Sequence, residues 1–417
     1  MQQTFASIIT IGDELLIGQV IDTNSAFIAR QMNSIGISIK NRIAVGDVWT
    51  DIWQTLDETA RTSAVVLITG GLGPTADDIT KPLLCKYFDG KMVTSQAALD
   101  NVVSIFTKLG RPMIDRNLLQ AEVPDTCTVI NNTRGTAPGM WFEKKGVIFI
   151  SMPGVPFEMQ GMVTDYVLPE LQQRLQLPFI LHKTLVTFGI GESFLANLIQ
   201  NWEEALPQNI KLAYLPNYGM VRLRLSAFGA QKATLEQLID AEFEKLKLIV
   251  KEYLVTDQDE TMEMTVARLL LQRNETMSTA ESCTGGYIAH LITAMAGSSA
   301  YYHGSVVSYS YEAKEDILGV DHELLVQNGA VSEEVVLQMV AGALKQLKTT
   351  YAIAVSGIMG PGGAIGDKPV GTVWVAVGNQ QHRITQKFHF RFDRKRNIEL
   401  TAMNALNLLR KFIIDNA

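Results

Sequence analysis

Along the first 177 residues, short β-branched runs alternate with longer runs that place an apolar residue every three or four positions. Residues 7–12 have the pattern of a buried strand. Residues 24–36 carry a polar capping residue, helical periodicity and a closing glycine, which together predict a helix. The strand pattern returns at residues 65–71 and runs into Gly70-Gly71-Leu72-Gly73. Strands alternating with helices predict a doubly wound α/β sheet, whose ligands sit beyond the carboxyl ends of the strands.

The pattern changes near residue 178. Strands are predicted at 183–188, 211–214 and 220–227, with a Gly-Ile-Gly turn at 189–191 and helices over 193–205 and 234–253. Asp257-Gln258-Asp259-Glu260 reads as a solvated junction. From residue 261 the alternation resumes, with a helix over 262–273 and strands at 276–280, 305–309, 352–356, 372–377 and 384–389. An amphipathic helix over 395–413 follows. The division expected is 1–177 (doubly wound α/β), 178–256 (small α+β) and 261–417 (α/β again).

Composition agrees with several cores. A chain of 417 residues exceeds what one ordinary core organises. With 47% hydrophobic and 19% charged residues it is globular rather than disordered. The net charge of −7 disfavours non-specific binding to nucleic acid or acidic lipid. Cys85, Cys127 and Cys283 have no metal-ligand spacing. Asp13-Glu14 arrives too early for a signal peptide, and no apolar run is long enough to span a bilayer, so a cytoplasmic protein is expected.

The chemistry concentrates in two places. Ala280-Glu281-Ser282-Cys283-Thr284-Gly285-Gly286 lies between a strand pattern and a helix pattern. A serine there sits at a helix N-terminus, where the dipole and unpaired N–H groups favour an anion. Lys314 follows another strand and opens the next helix, whose positive end would lower its pKa and suit it as a base. Ser282 as a nucleophile served by Lys314 therefore stands beside Ser282 as a simple helix cap, and Cys283 is the rival nucleophile. Ser356-Gly357-Ile358-Met359-Gly360-Pro361-Gly362-Gly363 is either a phosphate-approaching loop or a turn. Asp393-Arg394-Lys395-Arg396 places three cations at a helix start, which suggests a bound anion or a solvated basic turn.

At the other end, Gly70, Gly71, Gly73 and Thr75 form a candidate anion cradle followed by Asp77 and Asp78. Asp13, Glu14 and Asp47 follow strand ends at the same sheet edge. Together these carboxylates suggest a magnesium–pyrophosphate site; the plain alternative is a turn with acidic residues favouring the next helix.

These stretches match a family. Ala-Glu-Ser-Cys-Thr-Gly-Gly, Val-Val-Ser-Tyr reaching Lys314, Ser-Gly-Ile-x-Gly-Pro-Gly-Gly and Lys368-Pro369-Val370-Gly371-Thr372-Val373 resemble the C-terminal CinA domain, the nicotinamide mononucleotide (NMN) deamidase family. Ile9–Gly18, Asp22-Thr23-Asn24, 69–80, 132–139 and 152–159 resemble the molybdopterin-binding (MoCF-type) domain in its CinA version, and the middle segment resembles the KH-type domain of CinA proteins. The resemblance implies that Ser282 attacks the nicotinamide carboxamide, that Tyr309 and Lys314 manage the proton, and that Arg396 holds the phosphate. Thr284, Gly285, Gly286, Ser356, Gly357, Gly360 and Gly362 would complete the binding loops, with no cofactor needed.

For the first segment the resemblance implies either a binding module of molybdopterin type or a metal-dependent ADP-ribose pyrophosphatase with Asp78 as its characteristic acid. Arg134 and Glu158 could equally be a structural ion pair. A homodimer is expected, and nucleic acid is not: the middle segment lacks a Gly-x-x-Gly clamp. A DNA-associated competence or damage-inducible factor is the remaining alternative.

Overall fold

The computed structural model describes residues 4–75, 78–217 and 219–416. Its backbone clusters into two compact units, Met1–Leu181 with Ser226–Asp240, and His182–Leu225 with Ala241–Ala417.

In the first unit a six-stranded sheet runs in the order Ser38–Val45, Phe5–Ile11, Val65–Thr69, Val147–Met152, Gly139–Lys144, Thr128–Ile130. The first four strands are parallel and the last two antiparallel. Strand alternation feeds two cores. Ala6, Ile8, Val65 and Leu67 face Ile28 and Met32 of helix Thr23–Ser34. Ile9, Ile11, Val66 and Ile68 face Ile52 and Leu56 of helix Trp49–Ala60. Strands covered on both faces need apolar residues at successive positions, which is why these runs read as continuous. The doubly wound reading holds, and Asp22, not Asn24, caps the first long helix by accepting from Ser25 N.

A four-stranded sheet follows in the order Ile210–Asn217, Met220–Gly229, Phe179–Phe188, Leu254–Thr256. The segment expected to be a solvated junction behaves differently. Glu260 is buried and accepts from Arg268 at 2.6 Å, Thr256 at 2.8 Å and Thr265 at 3.1 Å. Burial opposes its charge, and these partners more than offset it, holding its pKa below the usual carboxylate range. The charge pattern gave no sign that one of four polar residues would turn inward.

In the second unit a five-stranded sheet runs Tyr302–Val307, Met277–Glu281, Tyr351–Gly357, Thr372–Gly378, Arg383–His389. The first three strands are parallel and the last two antiparallel. One face carries Met277, Ile353, Val355, Val373 and Val375 against Leu406 and Leu409 of the closing helix Arg394–Asp415. The other carries Ala280, Ala352, Ala354 and Ala376 against Val335, Val336 and Met339 of helix Glu333–Leu347. Each fully buried aliphatic side chain contributes about 1.5–3 kcal/mol, while the alanines let that helix approach closely. Strand Tyr302–Val307 ends two residues before Tyr309, so Tyr309 lies in the loop rather than in the strand. No helix among the described residues is long and apolar enough to cross a membrane.

Candidate active site

Ser282 directly follows strand Met277–Glu281, second in the sheet, and is held to the central strand Tyr351–Gly357 by its N–H, which donates to Val355 O at 3.0 Å. Lys314 lies on helix Tyr311–Leu318, whose start is capped by Ser310 accepting from Ala313 N. Its ammonium is fully buried and reaches Ser282 Oγ at 3.1 Å, Ser308 O at 2.7 Å and Ser310 O at 3.4 Å. Burial pushes the Lys314 pKa below the ordinary lysine value, and the opposing influence is the Cys283 thiol rather than a carboxylate. The cause is thus desolvation of the amine, where sequence had suggested the helix end. A buried amine touching a serine hydroxyl is the geometry of a base and its nucleophile.

Cys283 is the weaker nucleophile here. Burial raises its thiol pKa to about 12, with a further push from Glu281, so it stays protonated.

The glycines after the serine do not form the pocket. Helix Tyr287–Thr293 begins five residues beyond Ser282, with Gly286 as its cap. Its N-terminal donors are already taken: Gly286 N, Ile288 N and Ala289 N donate to the buried Glu281 carboxylate at 3.1, 3.0 and 2.8 Å. Thr284 donates its hydroxyl to the same group at 2.7 Å, and Gly285 N donates to Ser282 O at 3.2 Å. Thr284, Gly285 and Gly286 are thus turn-builders. Among the described residues, the N–H groups of Cys283 and Thr284 donate to no main-chain carbonyl, and of these two residues Cys283 lines the cleft beside Ser282.

Ser282, Cys283 and Lys314 open onto a cleft of about 310 Å³ that also includes Tyr309, Tyr311, Lys368 and Arg394. The second glycine loop lines it as expected, through Ser356, Gly357, Gly360 and Gly362. Ser356 spends its hydroxyl on Ala330 O at 2.6 Å, so it shapes the wall. Gly360 has φ +85°, and a Cβ there would sit 2.7 Å from Val370 Cγ1, so both the turn and the space require glycine. Besides Lys314, two cations, Lys368 and Arg394, and no carboxylate lie among the lining residues, which favours an anionic ligand.

The arginine expected to hold the phosphate or a nearby anion stands apart from this cleft. Arg396 is absent from the lining and rests over the Phe392 ring at 4.1 Å. Arg394 lines the cleft, donating to Gly360 O at 2.9 Å and to Tyr309 Oη at 3.1 Å. The helix start needs no external anion, because Asp393 accepts from Arg396 N at 3.0 Å and supplies the negative charge itself. Two arginines two positions apart are indistinguishable by composition, and only their directions separate them. Lys368 donates to Asn328 O and lines the same cleft, a place that its residue type alone does not reveal.

The first-unit site differs more from expectation. Asp78 accepts from Gly73 N at 2.8 Å, from Thr75 N at 2.9 Å and from the Thr75 hydroxyl at 2.5 Å. It clasps the glycine loop, spending on itself the donors that an anion cradle would offer. Asp13 and Asp47 cap each other's backbone, Asp47 N to Asp13 Oδ1 at 3.2 Å and Asp13 N to Asp47 Oδ2 at 3.3 Å. Asp77 lies outside the described residues. Among the described residues no three His, Cys, Asp or Glu side chains gather as a metal site requires, so the expected convergence of carboxylates is absent.

What the strand ends do form is a hollow of about 120 Å³ lined by Thr10, Glu14, Asp22, Asn24, Thr69 and Gly70 with their neighbours. Gly70 is obligatory there, since with φ +112° a Cβ would lie 2.2 Å from Ile11 O. Asn24 donates to Gly154 O at 2.7 Å and to Thr69 Oγ1 at 3.3 Å, while its own Oδ1 is buried without a partner. Gly71, Gly73 and Thr75 do not line this hollow. Arg134 and Glu158 do not pair: Arg134 binds Asp165 at 3.2 Å, and Glu158 accepts from Asn132 at 2.7 Å.

Comparison with known proteins accounts for all three segments. Residues 7–173 match the family model described as a probable molybdopterin binding domain, residues 182–256 the damage-inducible protein CinA KH domain, and residues 259–413 the CinA C-terminal domain. A CinA-like protein of Cytophaga hutchinsonii is 45% identical over 407 residues, covering 98% of this chain and 97% of its own. One of Flavobacterium psychrophilum is 44% identical over 413 residues, covering 99% of each chain. The crystal structure of the competence damage-inducible protein A of Klebsiella pneumoniae is 38% identical, covering 36% of this chain and 93% of its own at a TM-score of 0.36. With near-complete coverage at such identity, the chain belongs to the CinA family.

Proposed function

We propose that the second unit is a nicotinamide-nucleotide amidohydrolase that converts NMN and water to nicotinate mononucleotide and ammonia. The observation that carries this reading is the 3.1 Å contact between Ser282 Oγ and the buried Lys314 Nζ. It is supported by a cleft whose cations have no lining carboxylate to neutralise them, as a phosphate-bearing substrate requires.

In this reading neutral Lys314 takes the Ser282 proton as Oγ bonds to the carboxamide carbon. The N–H group of Cys283, which lines the cleft, is the donor offered to the oxyanion. Collapse breaks the C–N bond, the proton on Lys314 passes to the departing nitrogen, and ammonia leaves an ester on Ser282. Water then attacks that ester, Lys314 takes its proton and returns it to Oγ, and the carboxylate product departs. Arg394, anchored to Gly360 and Tyr309, and Lys368 are the cations offered to the phosphate. The test is ammonia release from NMN by the purified protein without added metal; its absence would end the reading.

For the first unit the reading is a small-ligand binding site at the strand ends. It is favoured by the unpartnered Asn24 Oδ1, which suits a ligand N–H donor.

A further inference from the structure

The carboxylate one residue before the nucleophile is the most heavily hydrogen-bonded side chain of the site, and the reaction as written does not use it. Glu281 is completely buried at the end of strand Met277–Glu281. Its Oε2 accepts from Thr284 Oγ1, Gly286 N and Ile288 N, and its Oε1 from Ala289 N. Thr279 and Ser305 add longer contacts to Oε1 at 3.3 and 3.5 Å. A buried charge is tolerated only when so satisfied. The position it fills is the N-terminus of helix Tyr287–Thr293, where an anion is most favoured.

We infer that Glu281 is a positioning residue for Ser282: it occupies the helix N-terminus in place of the substrate's developing anion and locks the turn that aims the serine at Lys314. Two constraints meet on that turn. Ser282 N is tied to Val355 O on the strand side. Thr284 and Gly286, two and four residues on, are tied to Glu281. With both ends fixed, Oγ stays in reach of Lys314, and the N–H group of Cys283 is the donor left for the oxyanion. A turn held loosely would place Oγ over a range of positions, and misplacement by about an ångström costs on the order of a hundredfold in rate.

The inference rests on Ser282 being the nucleophile, not on the identity of the substrate. The experiment therefore follows labelling of Ser282 by a fluorophosphonate, beside turnover of NMN, in the full chain. Glu281→Gln keeps the shape but turns an NH₂ group toward backbone donors; Thr284→Val removes one hydrogen bond and keeps the carboxylate. The expected result for Glu281→Gln is labelling at least tenfold slower per folded molecule, a comparable fall in kcat, and KM within about twofold. Thr284→Val should show a smaller fall in the same direction. A role confined to stability would lower the melting temperature and leave labelling of the folded fraction unchanged, which would overturn the inference. If Glu281→Gln does not fold, Thr284→Val decides, and wild-type labelling by that variant would overturn it. Wild-type labelling at Ser282 without ammonia from NMN would remove the proposed substrate and leave the positioning role standing. Failure of the wild-type protein to label would overturn both.

Discussion

The Arg394 guanidinium donates to the Tyr309 phenol oxygen at 3.1 Å, joining the closing helix to the loop after the edge strand across 85 residues of sequence. Arg394 also holds Gly360 O at 2.9 Å, so one side chain ties together the glycine loop, the tyrosine and the helix start around the cleft. Tyr309 is 63% exposed, and its hydroxyl is oriented by this arginine rather than by burial.

Arg394→Ala is expected to reduce kcat/KM for NMN by roughly ten- to a hundredfold, as loss of a hydrogen-bonded charge of about 1.5–3 kcal/mol implies. Arg396→Ala should stay within about threefold of wild type, since only an exposed cation–π contact of about 0.5–1 kcal/mol is lost. Steady-state kinetics of the two variants checks the assignment; equal losses would reject it.

Ser282→Ala is expected to abolish ammonia release from NMN, whereas Cys283→Ser should retain most of it. A thiol raised to about 12 is a poor source of thiolate at neutral pH. A variant lacking Ser282 but turning over normally would end the serine mechanism.

Lys314→Met should lower kcat by at least about a hundredfold, the usual weight of a general base. In the wild type, kcat should rise with pH as Lys314 loses its proton, at a pH below the ordinary lysine value. The stability effect has the opposite sense for the variant. A pKa depressed on folding means that the unfolded chain binds the proton more tightly, so this lysine weakens the native state at neutral pH and does so less as pH rises. Lys314→Met should therefore unfold at a higher temperature than wild type near pH 7, which differential scanning calorimetry measures.

Asp78→Ala should destabilise the first unit by about 1 kcal/mol, the usual cost of removing a capping carboxylate. Thermal unfolding in EDTA and in magnesium should show the same loss, because the clasp is made by hydrogen bonds from Gly73 N and Thr75 N. A loss confined to magnesium would make Asp78 a metal ligand instead.

Much of this protein could be read from one sequence, and the unread part has a consistent cause. Strands such as 65–69 and 352–356 were legible because burial on both faces imposes successive apolar residues. The helix over 262–273 was legible because capping and periodicity are local. Ser282 and Lys314 stood out by residue type and by their places after strands, and the structure brings them together. The buried places of Glu281 and Glu260 were not legible, because a carboxylate looks alike in sequence whether it binds metal, faces water or caps its own chain. Its meaning depends on which donors the fold brings to it.

The same limit separates Arg394 from Arg396. Local pattern determined that cations would open the last helix, and chain length and alternation determined several α/β cores. The tertiary structure alone decided which arginine turns to the cleft, which main-chain donors Glu281 takes, and that Asp13 and Asp47 cap each other while Asp78 clasps its own loop. Those outcomes turn on direction and distance between residues far apart in the chain, which hydrogen bonding and burial fix only once the sheets have formed.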